Sequence, residues 1–277
     1  MTKSRTINAQ TELYGIIGKP VGHSLSPVMH NAAFEHLGMN AVYLAFETDD
    51  TDAASRAMRC LGIRGYSVTI PNKESIIRYL DEPDDTVIKI GACNTVRNRD
   101  GRLQGTNTDW IGAIKALERI TSLAGKRAVV LGAGGSARAV IYGLIRSGVH
   151  VTVCNRTIEK AQRLSEEFGC TPLALEEAER LSGHILINTT SVGMGKLQDD
   201  SPLSKKGVEN YDIVMDIVYA PLETKLLGYA SSLGKKVVNG LEMLLLQATA
   251  QFEFWTGQPA PEQVMKKALE DAVRQSN

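Results

Sequence analysis

The sequence predicts an α/β protein of two domains, the second of which has a doubly wound, Rossmann-type sheet. Apolar runs typical of buried strands alternate with helical patterns along most of the chain, as in sheets with helical crossovers. The length of 277 residues exceeds that of one typical domain. Between one apolar run and the helical pattern after it lies the turn Gly132-Ala-Gly-Gly-Ser136. A glycine turn in this context is the signature of a dinucleotide-binding domain.

The composition is that of an ordinary globular protein, because hydrophobic residues make up 43% of the chain and charged residues 22%. The formal net charge is zero and the pI is about 7.0, which disfavours nucleic acid or an anionic membrane as a partner. No apolar run reaches the roughly 18 residues of a membrane helix, and the first residues lack the apolar core of a signal peptide. We therefore expect a cytoplasmic protein, a monomer or a homodimer, whose partner is a small molecule.

Cysteine and histidine patterns predict neither disulfides nor a metal site. The 4 cysteines are scattered without a C-x-x-C pair, which suits reduced thiols. The 5 histidines form no H-E-x-x-H or comparable metal-binding pattern, and His30 and His36 fall on one predicted helix.

The first part of the chain predicts the order β-α-β-α-β-α, with strands at 13–18, 41–47 and 65–69 and helices at 26–38 and 51–61. Ser26 stands where an N-cap is expected, with Pro27 at the first helical position. A further helix begins after Pro71 and places Lys73 in its first turn, where a cation opposes the helix dipole. A lysine so placed near a strand end is either an indifferent surface charge or a functional group.

A hairpin and a bridging helix follow. Asp100-Gly101 is a hairpin turn signal between short strands on either side, and we expect this pair to form an exposed arm. A helix is then expected at 110–120, with Thr108 or Asp109 as its N-cap. This helix leads into the second domain.

The glycine turn of the second domain predicts where a diphosphate binds. Gly132 would make the turn after the strand, Gly134 would let the backbone approach the diphosphate, and Ala137 would allow close packing of helix on strand. Free N–H groups and the positive end of the helix dipole complete such a site.

The cofactor predicted from the next strand is NADP. That strand ends about twenty residues after the turn, where the ribose of a bound dinucleotide is expected. An NAD site usually has an acidic residue there, whereas this chain has Asn155-Arg156-Thr157 followed by Lys160. Cations and a hydroxyl suit a 2′-phosphate, although Arg156 alone could be a solvated surface charge.

The remaining strands of the second domain are expected at 184–188, 212–219 and 235–239, with a helix opened by Pro221. They end in hydroxyl or amide residues, as along the ligand-binding edge of a parallel sheet. After Gly240 a long apolar helix carries Gln247, and an amphipathic helix follows it. Because no strand follows, we expect 241–277 to complete the first domain, 1–108, and 109–240 to form the nucleotide-binding domain.

Several stretches together resemble the shikimate dehydrogenase family of chorismate and aromatic amino-acid biosynthesis, in order and over almost the whole chain. They are Gly18-Lys-Pro-Val-Gly-His-Ser-Leu-Ser-Pro27, Ser67-Val-Thr-Ile-Pro-Asn-Lys73, Gly91-Ala-Cys-Asn-Thr95, Gly105-Thr-Asn-Thr-Asp109, Gly132-Ala-Gly-Gly-Ser136, Asn155-Arg-Thr157, Asn188-Thr-Thr-Ser191, Asp216-Ile-Val-Tyr219 and Gly240-Leu-Glu-Met-Leu-Leu-Leu-Gln247. The resemblance implies an α/β substrate-binding domain, an NADP-binding Rossmann domain, and reversible reduction of 3-dehydroshikimate to shikimate by NADPH.

The resemblance also implies the roles of individual residues, with Lys73 and Asp109 as the catalytic pair. Hydride arriving at a carbonyl carbon leaves negative charge on oxygen, which the Lys73 ammonium can stabilise and protonate. Without the motifs around them, Lys73 and Asp109 could be an ordinary surface ion pair. The implied substrate-binding residues are Ser24, Ser26, Thr69, Lys73, Asn94, Asp109, Tyr219 and Gln247. The implied cofactor-binding residues are Gly132, Ala133, Gly134, Gly135, Ser136, Asn155, Arg156, Thr157, Lys160, Ile217 and Gly240.

The chain departs from the commoner family pattern at four positions. Ser67 stands where asparagine is frequent, Trp110 and Glu242 where glycine is frequent, and Lys160 where arginine is frequent. Two alternatives remain open. A quinate/shikimate dehydrogenase that prefers NAD would be marked by an acid near position 156. A ligand-sensing relative without catalysis would be marked by loss of the lysine–aspartate pair.

Overall fold

The computed structural model describes residues 7–276, which form parts of two compact units. The N-terminal unit comprises the chain up to Thr108 together with everything from Leu245 onward, and the central unit comprises Asp109–Leu244. The boundary expected from the sequence at 240/241 lies a little earlier than the one after Leu244. Both lie within one continuous helix, Gly240–Thr256.

The N-terminal unit is built on a six-stranded mixed sheet with the strand order β2-β1-β3-β5-β6-β4. Strand β1 is parallel to β2 and β3, β5 is antiparallel to β3 and β6, and β4 is parallel to β6. A 3₁₀ turn at Ile76–Tyr79 follows the third helix. The elements are β1 (Glu12–Gly18), α1 (Ser26–His36), β2 (Ala41–Glu47), α2 (Thr51–Cys60), β3 (Gly65–Val68), α3 (Asn72–Ser75), β4 (Glu82–Pro83), α4 (Asp85–Ile90), β5 (Thr95–Arg99) and β6 (Arg102–Thr106).

The β5–β6 hairpin is closed by the predicted turn, but it is not an exposed arm. Asp100 and Gly101 both have positive φ, 54° and 86°, as a two-residue type I′ turn requires. The expectation of an exposed arm is wrong, because the two strands lie inside the sheet between β3 and β4. Val96 and Leu103 on these strands are fully buried.

Two helices begin elsewhere than the sequence suggests. Helix α1 begins at Ser26 itself and has no side-chain cap, so the prediction of Ser26 as the cap is wrong. The Ser26 side chain is instead buried beside the Tyr43 hydroxyl of β2. The helix expected to open at Pro221 begins at Lys225, where the Thr224 hydroxyl accepts a hydrogen bond from a first-turn N–H.

The central unit is built on a six-stranded sheet in which every neighbouring pair of strands is parallel. Its elements are α5 (Asp109–Glu118), β7 (Arg127–Leu131), α6 (Gly135–Arg146), β8 (His150–Asn155), α7 (Ile158–Phe168), β9 (Thr171–Ala174), β10 (Ile185–Asn188), α8 (Lys205–Val208), β11 (Ile213–Asp216), α9 (Lys225–Ser232) and β12 (Lys236–Val238). The strand order β12-β11-β10-β7-β8-β9 is the doubly wound Rossmann order, with its switch point between β7 and β10. The predicted fold class is confirmed.

The last two helices, α10 (Gly240–Thr256) and α11 (Glu262–Ser276), supply packing partners for the N-terminal unit. Helix α11 packs on α1. Trp255 of α10 contacts Tyr14 with ring centroids 5.6 Å apart, and its indole N–H donates to the Val96 carbonyl at 3.0 Å. These contacts join α11 and the end of α10 to the first part of the chain.

We predict that Gly65→Ala destabilises the N-terminal unit by about 1–3 kcal/mol, the usual cost of overpacking a core. A methyl group at Gly65 would lie 2.8 Å from Trp255 and from Tyr14, whose rings are held in the core. Gly22→Ala is the matched control, because a methyl group there meets nothing within 4 Å. Urea unfolding midpoints of both variants measure the effect. Equal midpoints would show that the Trp255 contact is not tight.

Candidate active site

Residues implied to bind the substrate converge on one edge of the N-terminal sheet. Ser24 and Ser26 follow the end of β1, and Thr69 and Lys73 follow the end of β3. Because β5 runs antiparallel to β3, Asn94 just before β5 lies at the same edge. The Val68 N–H donates to the Asn94 carbonyl at 2.8 Å. The structure therefore gathers residues that are far apart in the sequence.

The turn that carries Lys73 is anchored by its neighbour Asn72, which is buried. The Asn72 amide donates to the Thr48 carbonyl at 2.9 Å and accepts from the Thr51 hydroxyl at 3.0 Å. Lys73 itself is half-buried in the short helix α3. The lysine is thus presented by a backbone segment that is held to the β2–α2 junction.

Asn94 and Gln247 meet through buried hydrogen bonds that fix the orientation of both amides. The Asn94 side-chain oxygen accepts from the Thr108 N–H at 2.7 Å and from the Thr95 hydroxyl at 2.7 Å. Its amide nitrogen therefore donates to the Thr108 hydroxyl at 3.0 Å and to the Gln247 oxygen at 3.3 Å. Because the side-chain oxygen of Gln247 faces Asn94, the NH₂ group of Gln247 points away from Asn94.

A second buried network, which the sequence did not reveal, lies behind Ser26. The Tyr43 hydroxyl donates to Ser67 at 2.6 Å, and Ser67 donates to the Gln251 oxygen at 2.8 Å. Gln251 in turn donates to the Asn94 carbonyl at 3.1 Å. A usable signal existed, because Gln251 lies one helical turn after Gln247 and therefore on the same face of the helix.

His30 lies beside this network as an uncharged group. Its ring stacks on Tyr43 at 4.6 Å, and burial lowers the pKa of His30 to about 3 despite the neighbouring Gln251 amide. Because the imidazole stays neutral at ordinary pH, it adds no positive charge behind Ser26.

Asp109 is the first residue of α5, where a negative charge suits the helix dipole. The unusual Trp110 beside it is held within the central unit. Its ring meets Tyr142 edge-on at 5.7 Å, and the Arg146 guanidinium lies 5.5 Å from the ring centroid. A second departure, Glu242, is paired with Arg119, the residue just after α5, at 2.5 Å, so its charge is balanced locally.

The glycine turn has the shape expected for a diphosphate site. Gly132 has a φ of 107°, and a methyl group there would lie 2.7 Å from the Thr189 hydroxyl. Gly134 is the cap residue of α6 without a side-chain cap, and a methyl group there would meet nothing within 4 Å. No acidic residue occupies the first turn of α6. The residues gathered in this turn are Gly132, Ala133, Gly134, Gly135 and Ser136.

The turn after β8 leaves cationic groups exposed where a ribose phosphate is expected. The Asn155 amide donates to the Thr157 carbonyl at 2.8 Å, which fixes the turn. Thr157 is the cap residue of α7, but its hydroxyl makes no capping hydrogen bond. Arg156 and Lys160 are exposed. Both side chains suit a phosphorylated ribose: the Arg156 guanidinium can bind a phosphate through two hydrogen bonds, and the Lys160 ammonium can bind it as a compact charge.

Two strand ends next to the switch point are joined by buried polar groups that the sequence did not single out as a site. Asn188 and Asp216 are register partners at the ends of β10 and β11, and the Asn188 amide donates to Asp216 at 3.0 Å. Asp216 also accepts from the Val218 N–H at 3.0 Å and from the Thr224 hydroxyl at 2.7 Å. The signal was a polar residue closing each of two buried strands.

Gly240 and Ile217, both implied to line the cofactor site, are brought together in the central unit. A methyl group at Gly240 would overlap the carbonyl oxygens of Ile217 and Val218, so only glycine permits this approach. Tyr219 follows two residues after Ile217 in the same segment, where burial raises the pKa of its hydroxyl. The residues implied to bind the cofactor therefore lie at the carboxyl edge of one sheet, the ligand-binding edge of a doubly wound fold.

A doubly wound parallel sheet whose first strand ends in this glycine turn defines a dinucleotide-binding protein. Comparison with known families agrees. The matching family descriptions are "Shikimate dehydrogenase substrate binding domain" over 16–96, "Shikimate / quinate 5-dehydrogenase" over 115–194 and "Shikimate 5'-dehydrogenase C-terminal domain" over 240–270. The chain belongs to the shikimate dehydrogenase family.

Individual relatives are similar over nearly their whole length. The chain is 46% identical to a shikimate dehydrogenase (NADP(+)) of Thermococcus kodakarensis, covering 96% of this chain and 98% of the relative. It is 42% identical to the Syntrophobacter fumaroxidans enzyme of the same name, covering 96% and 94%. The Aquifex aeolicus shikimate dehydrogenase structure superposes with a TM-score of 0.90 at 42% identity, covering 96% and 100%. A Thermus thermophilus structure with NADP(H) and shikimate gives 0.87 at 38% identity, covering 94% and 99%.

Within residues 7–276, none of the helices is long and apolar enough to cross a membrane. Over the same residues, no group of three or more His, Cys, Asp or Glu side chains could hold a metal ion. None of the four cysteines, all of which lie among the described residues, forms a disulfide.

We predict that Asp216→Asn removes a pH dependence of stability. Burial raises the pKa of Asp216 to about 6 from 3.8, against the hydrogen bonds it accepts. Between these values the folded protein keeps a proton that the unfolded chain has lost, so the free energy of unfolding falls as pH rises. An amide should keep the contacts, with its NH₂ donating to the Thr224 hydroxyl, and it cannot titrate.

Relative to wild type, the variant should therefore gain stability from about pH 4 to about pH 7, by at most about 3 kcal/mol. Chemical unfolding across this range measures the difference, with the exposed Asp212→Asn as the matched control. Parallel curves for wild type and Asp216→Asn would show that the buried carboxyl does not hold its proton.

Proposed function

We propose that this protein is an oxidoreductase that catalyses the reversible, NADP-dependent reduction of 3-dehydroshikimate to shikimate. The observation that carries the proposal is the convergence of Ser26, Lys73, Asn94 and Gln247 at one edge of the N-terminal unit, where buried hydrogen bonds join Asn94 to Gln247. A ring that bears one carboxylate and several hydroxyls requires several short, oriented polar side chains. Relatives at 42–46% identity bear the name of this activity.

The substrate roles follow from position in the sheet. Ser24 and Ser26, after β1, are the proposed ligands of the substrate carboxylate, to which their hydroxyls would donate charge-assisted hydrogen bonds. The amide orientation of Gln247 suits it to donate to a ring oxygen. The residues proposed to contact the ring hydroxyls or the carboxylate are Thr69, Asn94, Tyr219 and Gln247.

Lys73 and Asp109 are the proposed catalytic residues. In the reduction direction, the Lys73 ammonium would give a proton to the oxygen that becomes the new hydroxyl, and in oxidation the neutral amine would take it back. Its charge would also stabilise that oxygen while negative charge develops. Asp109 would orient Lys73 and hydrogen-bond the same hydroxyl. Bound NADPH supplies the hydride for this step.

The proposed NADP site uses the carboxyl edge of the central sheet. The N–H groups of the turn from Gly132 to Ser136 would bind the diphosphate, because α6 begins there without a competing acid. Arg156 and Lys160, with the free hydroxyl of Thr157, would bind the 2′-phosphate. Asn155, Ile217 and Gly240 would line the rest of the site.

A quinate/shikimate dehydrogenase that prefers NAD is the second candidate. One matching family description names quinate, and a Listeria monocytogenes relative of known structure holds shikimate and NAD. An exposed Arg156 in place of an acid favours NADP instead. A ligand-sensing relative without catalysis is disfavoured, because Lys73 and Asp109 are both retained.

We also propose that the protein acts in the cytoplasm, as a monomer or homodimer and without a nucleic-acid partner. Scattered free thiols support a reducing compartment. The formal net charge of zero supports the absence of a polyanionic partner.

The cofactor proposal predicts a preference for NADP over NAD of at least about tenfold in kcat/KM, or about 1.4 kcal/mol. The 2′-phosphate would gain a charge-assisted pair with Arg156 that NAD lacks. Absorbance of the reduced nicotinamide, with shikimate and quinate each tested against both cofactors, measures it. Arg156→Asp should shift the ratio towards NAD, whereas the same change at the exposed Arg163, within α7, should not. Equal use of both cofactors by wild type would favour the quinate/shikimate alternative.

The catalytic proposal predicts that Lys73→Ala lowers kcat by about 10²–10⁴-fold while NADP binding stays nearly unchanged. The lost proton and charge act on the reacting oxygen and not on the cofactor. Lys89→Ala, an exposed lysine of the same unit paired with Asp85, is the matched control. Turnover of Lys73→Ala close to that of wild type would remove Lys73 from the mechanism.

A further inference from the structure

The strand order divides the carboxyl edge of the central sheet into two halves. In a doubly wound fold each half takes one mononucleotide of a dinucleotide. The half formed by β7, β8 and β9 carries the glycine turn and Arg156, so it is the adenosine half. The half formed by β10, β11 and β12 leads into Ile217 and Gly240, so it is the nicotinamide half.

Asp216 ends β11, the middle strand of the second half, and contacts the loops that follow β10 and β11. Its carboxylate accepts three hydrogen bonds, from the Asn188 amide, the Val218 N–H and the Thr224 hydroxyl, at 3.0, 3.0 and 2.7 Å. Its side chain is fully buried. A buried carboxylate with three aligned donors fixes the relative positions of the groups that carry them.

The loop after β10 is folded onto this carboxylate. Asn188 donates also to the Val192 carbonyl at 3.0 Å and accepts from the Thr190 N–H at 3.0 Å, which closes the loop on itself. Gly193 then turns with a φ of 99°, and a methyl group there would lie 3.2 Å from Thr224. The course of this loop therefore depends on the Asp216 contacts.

The loop after β11 is held by the same group. The Asp216 carboxylate accepts a hydrogen bond from the Val218 N–H. This N–H and the Ile217 carbonyl belong to the same peptide group. Gly240 packs against that carbonyl with no room for a side chain. Moving the Val218 peptide would thus move the Ile217 carbonyl and its contact with Gly240.

We propose that Asp216 is a positioning residue for the nicotinamide half of the cofactor site and has no part in the adenosine half. It acts through the loops after β10 and β11, because its hydrogen bonds fix the positions of these two loops relative to each other. The inference rests on the proposed NADP-dependent function.

The adenosine half keeps its own supports. The turn at Gly132 packs against Thr189 of the loop after β10, but the Thr189 hydroxyl and N–H are held by the Leu131 carbonyl of β7 and not by Asp216. The turn after β8 is held by the Asn155–Thr157 hydrogen bond.

Two probes of the same protein separate the halves. NADP spans both, whereas adenosine 2′,5′-bisphosphate carries only the 2′-phosphorylated adenosine. By titration calorimetry, Asp216→Ala should weaken NADP binding by at least about tenfold, since several oriented hydrogen bonds are lost. Binding of adenosine 2′,5′-bisphosphate should change by less than about twofold. Arg156→Asp is the reciprocal control and should weaken both probes.

The conservative variant tests whether hydrogen bonding is the cause. Asp216→Asn can keep all three contacts and should bind NADP within about threefold of wild type. If Asp216→Ala does not fold, Thr224→Val, which removes one donor, should show a smaller loss confined to NADP. Equal losses for the two probes, no loss for either, or an Asn variant as weak as the Ala variant would each overturn the inference. A wild type that binds neither probe would instead refute the proposed cofactor.

Discussion

The central unit depends on close approaches between the backbone segments that follow β7, β10, β11 and β12 at the carboxyl edge of its sheet. Gly132 passes the Thr189 hydroxyl, which itself donates to the Leu131 carbonyl at 2.6 Å. Gly240 passes the Ile217 carbonyl with space for a hydrogen atom only. No side chain fits at Gly132 or at Gly240, so the loops at this edge lie in direct contact. Polar groups buried between the loops are shielded from water and must therefore hydrogen-bond to one another. Asn188 and Asp216 do so.

In the N-terminal unit the buried polar groups that hydrogen-bond to one another are neutral. Hydroxyls and amides link Tyr43, Ser67, Gln251 and Asn94 in a chain in which each donor has one acceptor. His30 beside them is uncharged. A proposed anion site supported by neutral donors binds a carboxylate through directional hydrogen bonds, and the strength of these bonds depends little on pH or salt. A charged support would have bound anions less selectively.

How much the sequence could predict depended on how local each signal was. The glycine turn, the type I′ turn at Asp100-Gly101 and the alternation of strands and helices are written in adjacent residues, and the structure agrees with them. The Ser67–Gln251 hydrogen bond joins residues 184 apart, and each alone is an ordinary polar residue. No local pattern could therefore pair them.

The errors have the same origin. The residue pattern of β5 and β6 predicts a hairpin but not its surroundings. Whether that hairpin is exposed or lies inside the sheet depends on its pairing with β3 and β4, which lie elsewhere in the sequence. Ser26 has the chemistry of a cap, but it is the first residue of the helix and its side chain is buried. At the start of α9, the Thr224 cap outweighs the preference of Pro221 for a first helical position.

The discontinuous course of the N-terminal unit has a consequence for its biosynthesis. Its strands are translated first, but Gln251 and Trp255, which satisfy the Asn94 and Val96 carbonyls, emerge from the ribosome only after the whole central unit. The usual order of co-translational folding, first domain first, is thereby reversed. The Val96 carbonyl of β5 therefore lacks its indole donor until α10 has been made, by which time the whole sequence of the central unit has already been translated.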